Sequence, residues 1–303
     1  GRGREGDEVS PPAPEEIEVS RPDKVLWPSL GVTKRMYVDY LLAVADRMVP
    51  WLERRPLTLI RAPDGVEGKR YFQKSVSKYA PSWIRTVRLP APSAKRDVDY
   101  VVCDDAATLA WLGNQAALEF HPAPVRVDKV ERPDLLVVDI DPPEGEFEAA
   151  VEVAMLVLEV LDGLGVATGV KTTGGKGLHV VAPIERRYSV SALRHAAARL
   201  TTIVAARRPE LVTDEFRKVG RGGRVMLDPS RNGTGATIVA PYSPRARAEG
   251  TVSFPVTPEE LTSISPGQFT LATVPELLDR PGPKRWMGLL KERRRLPADL
   301  LRD

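Results

Sequence analysis

Apolar runs that end in acidic and proline residues alternate along this chain with stretches of helical periodicity, and that alternation predicts an α/β protein. Two observations carry the prediction. The run Leu135-Leu136-Val137-Val138 leads into Asp139-Ile140-Asp141 and is stopped by Pro142-Pro143, while a glycine-rich turn joins Lys171-Thr172 to Leu178-His179-Val180-Val181. Between them, residues 147–164 repeat apolar side chains at helical spacing. The expected architecture is α/β, with mixed or antiparallel sheets around a central cleft and helices outside.

Taken in order, residues 1–16 are rich in Gly, Pro and acid and read as a disordered tail. A helix over 34–49 follows, with Thr33 as N-cap, an apolar face of Tyr37, Tyr40, Leu41, Val44 and Met48, and Pro50 as its stop. Residues 57–61 read as a strand and 106–118 as a helix. The 147–164 helix should bury Phe147, Val151, Met155, Leu158 and Leu161, and Gly163 and Gly165 should end it. Ser189 or Ser191 opens a further helix to about Ala206, on which His195 is expected to be structural. Strands are expected over 224–228 and from Thr237 to Ala240. Beyond Gly250 the pattern weakens to short helices and Pro-rich loops, then a basic helix-like tail over 286–295 whose Arg293, Arg294 and Arg295 read as solvated. The division expected is an N-terminal subdomain, 17–123, packed on a catalytic subdomain, 124–303, as one compact unit.

Side chains alternate across a strand, so Asp139 and Asp141 converge on one face, and the two prolines leave them at the strand's mouth. At about 6 Å and an effective dielectric of about 20, two carboxylates repel by roughly 3 kcal/mol. A divalent cation reverses that sign, and hard oxygen ligands select Mg²⁺ or Mn²⁺. An ordinary strand-end turn is the alternative, since Asp-Pro pairs also initiate turns. In the hairpin, Gly174, Gly175 and Gly177 let backbone N–H groups crowd an anion, and Lys176 and His179 add charge and a directed hydrogen bond. The segment is not a Walker A loop, because Gly177 rather than Ser or Thr follows Lys176. A plain turn remains open for it too. Leu227-Asp228-Pro229 repeats the strand-end device and supplies a third carboxylate, and Arg245 follows as a clamp for phosphate oxygens.

Composition narrows the classes. The 303 residues carry 42% apolar residues and a net charge of +3. No apolar stretch approaches membrane-spanning length and no secretory leader is read at the start, so a soluble cytoplasmic protein without membrane partners is expected. One cysteine and three histidines exclude a disulfide framework and a Cys-rich zinc site. The net charge is too small to announce nucleic-acid binding. The local cluster Arg217, Lys218, Arg221 and Arg224 among glycines suits a phosphate backbone, or else a solvated hairpin.

In order, Val138-Asp139-Ile140-Asp141-Pro142, Thr173-Gly174-Gly175-Lys176-Gly177-Leu178-His179, Leu227-Asp228 with Asn232, and Ala240-Pro241-Tyr242-Ser243-Pro244-Arg245 resemble the polymerase domain of bacterial ligase D and its stand-alone relatives, in the archaeo-eukaryotic primase superfamily. The likeness extends upstream through 21–28, Thr33-Lys34, 61–65 and 71–74. It implies a primase-like core and a template-dependent nucleotidyltransferase that fills gaps and extends ends of DNA in non-homologous end joining. By this resemblance Asp139, Asp141 and Asp228 hold two Mn²⁺ or Mg²⁺ ions. Thr173, Lys176, His179 and Arg245 bind the incoming NTP or dNTP, and Phe72 stacks on its base. Lys24 and Lys34 grip a DNA 5′-phosphate, and Arg61, Lys74 and Arg221 add DNA contacts. Arg21 stands where asparagine is usual and Ile60 where a basic residue is usual. A Ku-type end-binding protein and a DNA ligase are the implied partners. Two other classes fit parts of the pattern: a metal-dependent glycosyltransferase explains Asp139 and Asp141 but not Asp228, and a non-catalytic DNA-end-binding module would tolerate loss of all three.

Overall fold

The computed structural model describes residues 9–91 and 95–302. Of the expected tail, residues 1–8 lie outside the described residues, and Pro14–Glu16 form a 3-10 turn. Strands β1 (Val25–Trp27) and β2 (Val32–Thr33) pair as a small ribbon. Helix α1 (Lys34–Leu52) then begins where its cap predicts, with Thr33 Oγ1 accepting the Met36 N–H at 3.3 Å. Pro50 does not stop it. Proline removes one N–H from the last turn, and burial of Trp51 and Leu52 outweighs that single loss.

Strands β3 (Leu57–Arg61) and β4 (Tyr71–Gln73) form a three-stranded sheet with β7 (Ala117–Pro122), in the order β4-β3-β7. Between them lie the hairpin of β5 (Thr86–Ala91) and β6 (Arg96–Val101), and helix α2 (Ala106–Asn114). Helix α2 ends four residues before the expected Leu118 because Ala116 takes a left-handed turn, φ +55°, that starts β7.

The larger sheet comprises β8 (Leu135–Asp141), β9 (Gly169–Thr172), β10 (Leu178–Pro183), β11 (Val212–Thr213), β12 (Val225–Asp228) and β13 (Pro255–Val256). Its order is β11-β12-β8-β10-β9-β13, with only the β11–β12 pair parallel. Helices α3 (Phe147–Gly163) and α4 (Val190–Arg207) pack against it. Alternation along β8 sorts its side chains. Leu136, Val138 and Ile140 join the main core with Val153 and Val157 of α3, whereas Leu135 and Val137 join a second cluster with Trp51, Trp286 and Leu289. Asp139 and Asp141 continue this second face. The main core runs without interruption from Ile17 to Leu300, so 17–123 and 124–303 share it.

Three further elements differ from expectation. Of the expected stripe of α3, Leu158 and Leu161 are buried and Phe147 and Val151 pack partly buried on the core, but Met155 is 41% exposed and the stripe is completed by Ala150, Val153, Ala154, Val157 and Val160. Residues 237–240 form no strand; they run beside β7 with the Ile238 and Ala240 N–H groups donating to Pro122 O and Phe120 O. The C-terminal helix α5 (Pro281–Leu289) starts earlier, with Pro281 preset for the first turn, and ends earlier. A last turn, α6 (Ala298–Leu301), follows. Arg293, Arg294 and Arg295 are exposed, as expected, with Arg293 and Arg295 lying 3.9 and 3.4 Å from Asp134 and Glu185. Among the described residues no helix is long and apolar enough to cross a membrane.

Candidate active site

Strand register builds the site. Asp228 of β12 pairs directly with Asp139 of β8, Asp139 with His179 of β10, and His179 with Lys171 of β9. Four polar residues thus form one row across the centre of a sheet, on one face, since directly paired residues share a face. Asp141 lies one pleat further along β8. The turn after β12 is fixed by Asn232, whose side-chain amide accepts from Val137 N at 2.9 Å and donates to Val137 O at 2.8 Å. Asp228 Oδ1 caps the same turn by accepting the Ser230 N–H at 2.8 Å.

Cationic side chains close on the carboxylates. Arg231 Nε lies 2.9 Å from Asp139 Oδ2 and 3.7 Å from Asp228 Oδ2, which brings those two oxygens within about 7 Å of each other. Lys176 Nζ lies 2.9 Å from Asp141 Oδ1 and Arg221 Nη1 2.8 Å from Asp141 Oδ2. His179 Nε2 lies 3.3 Å from Asp139 Oδ1. Burial alone would raise the Asp139 carboxyl; His179 and Arg231 outweigh it and hold the group well below the usual carboxylate range. Burial, and then Lys171, push His179 itself down to about 4 against the opposing pull of Asp139.

The glycine hairpin packs tightly beside this row. A Cβ on Gly177 would stand 2.3 Å from Ile140 O, so only glycine lets the turn lie against the end of β8. Gly174 takes φ +67°. Thr173 binds within the turn, its Oγ1 donating to Gly177 O at 3.0 Å and accepting from Gly175 N at 3.2 Å. Arg245 reaches it, Nη1 to Thr173 O at 2.9 Å, and is held from behind by Glu119, Nε to Oε2 at 3.0 Å.

The remaining candidates fall in two other places. Lys24, Lys34 and Arg61 line a cavity of about 400 Å³ with Ser20, Arg21 and Asn114. Lys34 is almost buried, and its pKa is lowered by burial and then by Lys24 and Arg21. Phe72 is 68% exposed on β4, with Lys74 Nζ 5.7 Å from its ring centre. Lys74 also lines an apolar cavity of about 200 Å³ that includes Asn232 and Gly233. Sequence reasoning missed Arg231, Glu119 and Lys171. The first stands three residues from Asp228, a visible signal, whereas nothing local marks Lys171 as interior.

The donor set suits a hard divalent cation. Asp139 and Asp228 are directly paired and Asp141 shares their face, and of the side chains now neutralising them Lys176 and Arg231 are 32% and 45% exposed. Among the described residues, no group of three or more His, Cys, Asp or Glu side chains stands placed to hold a metal ion.

Carboxylates at the ends of central strands face a cationic glycine hairpin, an arrangement that suits a divalent cation and an anionic substrate. Residues 33–285 match the family described as LigD, primase-polymerase domain. The chain is 31% identical over 276 residues to the bifunctional non-homologous end joining protein LigD of Bacillus subtilis (strain 168), covering 90% of this chain and 44% of that protein. It is 35% identical over 254 residues to the multifunctional non-homologous end joining DNA repair protein LigD of Mycobacterium tuberculosis (strain ATCC 25618 / H37Rv), covering 81% of this chain and 33% of the relative. The solved polymerase domain from Mycobacterium tuberculosis ligase D in complex with DNA superposes with a TM-score of 0.82 at 33% identity, covering 88% of this chain and 96% of that one. The chain belongs to the LigD primase-polymerase domain family, and its fold is the archaeo-eukaryotic primase-like one. It spans less than half the length of these curated relatives. Membership sets aside the glycosyltransferase alternative.

Proposed function

We propose that this chain adds nucleotides to DNA primers under template direction, filling gaps and extending ends in bacterial non-homologous end joining. The observation that carries this is the row Asp228, Asp139 and His179, brought together from three strands beside the 173–177 hairpin. Asp139, Asp141 and Asp228 would hold Mn²⁺ or Mg²⁺, two ions by family resemblance. Bound there, such ions supply the charge that acidifies a primer 3′-hydroxyl and neutralises pyrophosphate.

The chain's own residues do the rest. Lys176, Arg245, His179 and the backbone of the glycine turn bind the triphosphate of an NTP or dNTP, and Phe72 offers a face for its base. Lys24 and Lys34 take the 5′-phosphate on the far side of the gap; Arg21 adds a further cation to their cavity and offsets the apolar Ile60. Arg61, Lys74 and Arg221 contribute DNA contacts. A cytoplasmic, nucleoid-associated location and cooperation with a Ku-type protein and a DNA ligase follow from the relatives' role in end joining. The residues lining the phosphate cavity all fall within 17–123, which supports reading that segment as the subdomain that carries it.

The test is a gapped, 5′-phosphorylated duplex incubated with Mn²⁺ and each nucleotide. Templated extension is expected from the wild type, with Asp139→Asn and Asp228→Asn each losing about 10³-fold in rate and binding DNA within about twofold of wild type by anisotropy. Retained extension in either variant would show that these carboxylates do not serve the reaction, and a non-catalytic end-binding role would remain.

A further inference from the structure

Lys171 is wholly buried in β9, between β10 and β13, and the nucleotidyl-transfer reading has no use for it. Its Nζ lies 2.6 Å from Ser253 Oγ and 3.0 Å from His179 Nδ1. Ser253 Oγ donates its own proton to Thr172 O at 2.8 Å, so toward Lys171 it accepts. Burial drives the Lys171 ammonium well below its usual range; Arg245 adds to this and Asp139 opposes it. A lysine kept in the interior at that expense needs a reason beyond packing.

The ring it touches supplies one. A neutral imidazole carries one proton, on either nitrogen, and the other nitrogen accepts. His179 Nε2 faces the Asp139 carboxylate, which can only accept, so the stable arrangement puts the proton on Nε2 and leaves a lone pair on Nδ1. That lone pair is buried and needs a donor. Lys171 has an N–H to give whether its amine is neutral or charged, and Ser253 holds it in place.

We propose that Lys171 is a positioning residue for nucleotide binding: it fixes His179 as the Nε2–H tautomer, so that the ring presents a donor rather than a lone pair to anionic groups at the site. The proposal rests on the reading of His179 as a ligand of the incoming triphosphate. Were the proton on Nδ1, the Nε2 lone pair would meet Asp139 and phosphate oxygens alike as a repulsion.

Long-range ¹H–¹⁵N spectra of the full chain labelled at histidine test this directly. There are three histidines, and His179→Gln assigns the signal. The wild type is expected to show a neutral His179 with the proton on Nε2. Lys171→Met, which keeps the length and removes the donor, is expected to give a mixture of tautomers and about tenfold weaker equilibrium binding of a nucleoside triphosphate. A purely structural role would leave the tautomer of a folded variant unchanged. A wild-type His179 protonated on Nδ1 overturns the proposal, as does a Lys171→Met variant with the wild-type tautomer and affinity. If Lys171→Met does not fold, the wild-type spectrum decides between the two tautomers. Failure of the polymerase reading looks different: the tautomer is as expected and the wild type extends no primer.

Discussion

The two ends of β8 both set aspartates against arginines, and they do so in opposite ways. At the start, Asp134 and Arg55 are essentially inaccessible to solvent, and the pair is bidentate, 2.6 Å from Nη1 to Oδ1 and 2.8 Å from Nη2 to Oδ2. Arg126 Nε adds a third bond to Oδ2 at 2.8 Å. At the finish, Asp139 and Asp141 keep side-chain exposures of 13% and 27%, and each meets its partners through single contacts. The first network is closed and ties the segment after α1 to the main sheet. The second is more open, and two of its cations, Lys176 and Arg231, sit on long side chains that are 32% and 45% exposed. Residue type therefore does not separate a lock from a site here; the number of committed oxygens and the access of solvent do.

Removing the carboxylate at each end is the strongest way to break this comparison. Asp134→Ala strands two buried guanidinium groups and is expected to cost about 3–5 kcal/mol in urea denaturation. Asp139→Asn leaves Arg231, 45% exposed, within reach of water and is expected to cost less, about 1–2 kcal/mol. Equal losses at the two ends would mean that the carboxylate mouth is structural as well.

This contrast marks where sequence reading runs out. Period-two alternation made Asp139 and Asp141 legible as a pair, and the glycine turn made the β9–β10 hairpin legible. The registers that set Asp228 and His179 on either side of Asp139 depend on pairings between distant segments, which local pattern does not encode. Resemblance, not periodicity, joined those pieces. Lys171 was missed because a lone strand lysine reads as a solvated edge, and only the fold places it in the interior. The Asp134 lock was illegible for the same reason, since Arg55 lies 79 positions away. Pro50 misled because its rule is local while the burial that overrides it is not.

Glu119 sharpens the comparison from between the two extremes. It is nearly buried, and burial alone would raise its carboxyl. His121, Arg245 and the Ala246 N–H together outweigh that and bring it from 4.5 to about 2. Between those values the unfolded chain binds a proton that the native chain does not, so stability falls as pH drops from about 4.5 toward 2 and is fully present above 4.5. The contribution is roughly 3 kcal/mol. Glu119→Gln is expected to be less stable than wild type at pH 6, with the gap in urea midpoints closing as pH falls through this window. A gap that stays constant with pH would assign Glu119 to packing rather than charge.

The smallest effect is expected where cations outnumber acids. In the cavity lined by Lys24, Lys34, Arg21 and Arg61, Lys24 is paired with Asp64, 2.8 Å away, but that carboxylate is 76% exposed and solvent weakens it. Lys34 has Ser20 Oγ at 3.2 Å and no carboxylate partner among the described residues, and its neighbours are positive. A closed lock would supply an acid here, and a metal site would reverse the sign. An anion of two charges suits this excess of cations, and a 5′-phosphate, the ligand proposed above, carries them. Lys34→Ala is therefore expected to reduce about tenfold, or by ~1.4 kcal/mol, the preference for a 5′-phosphorylated gap over a 5′-hydroxyl one, measured as the ratio of dissociation constants at fixed salt. Because both duplexes share every other contact, an unchanged ratio would leave the cavity's excess charge to the DNA backbone in general rather than to the phosphate end.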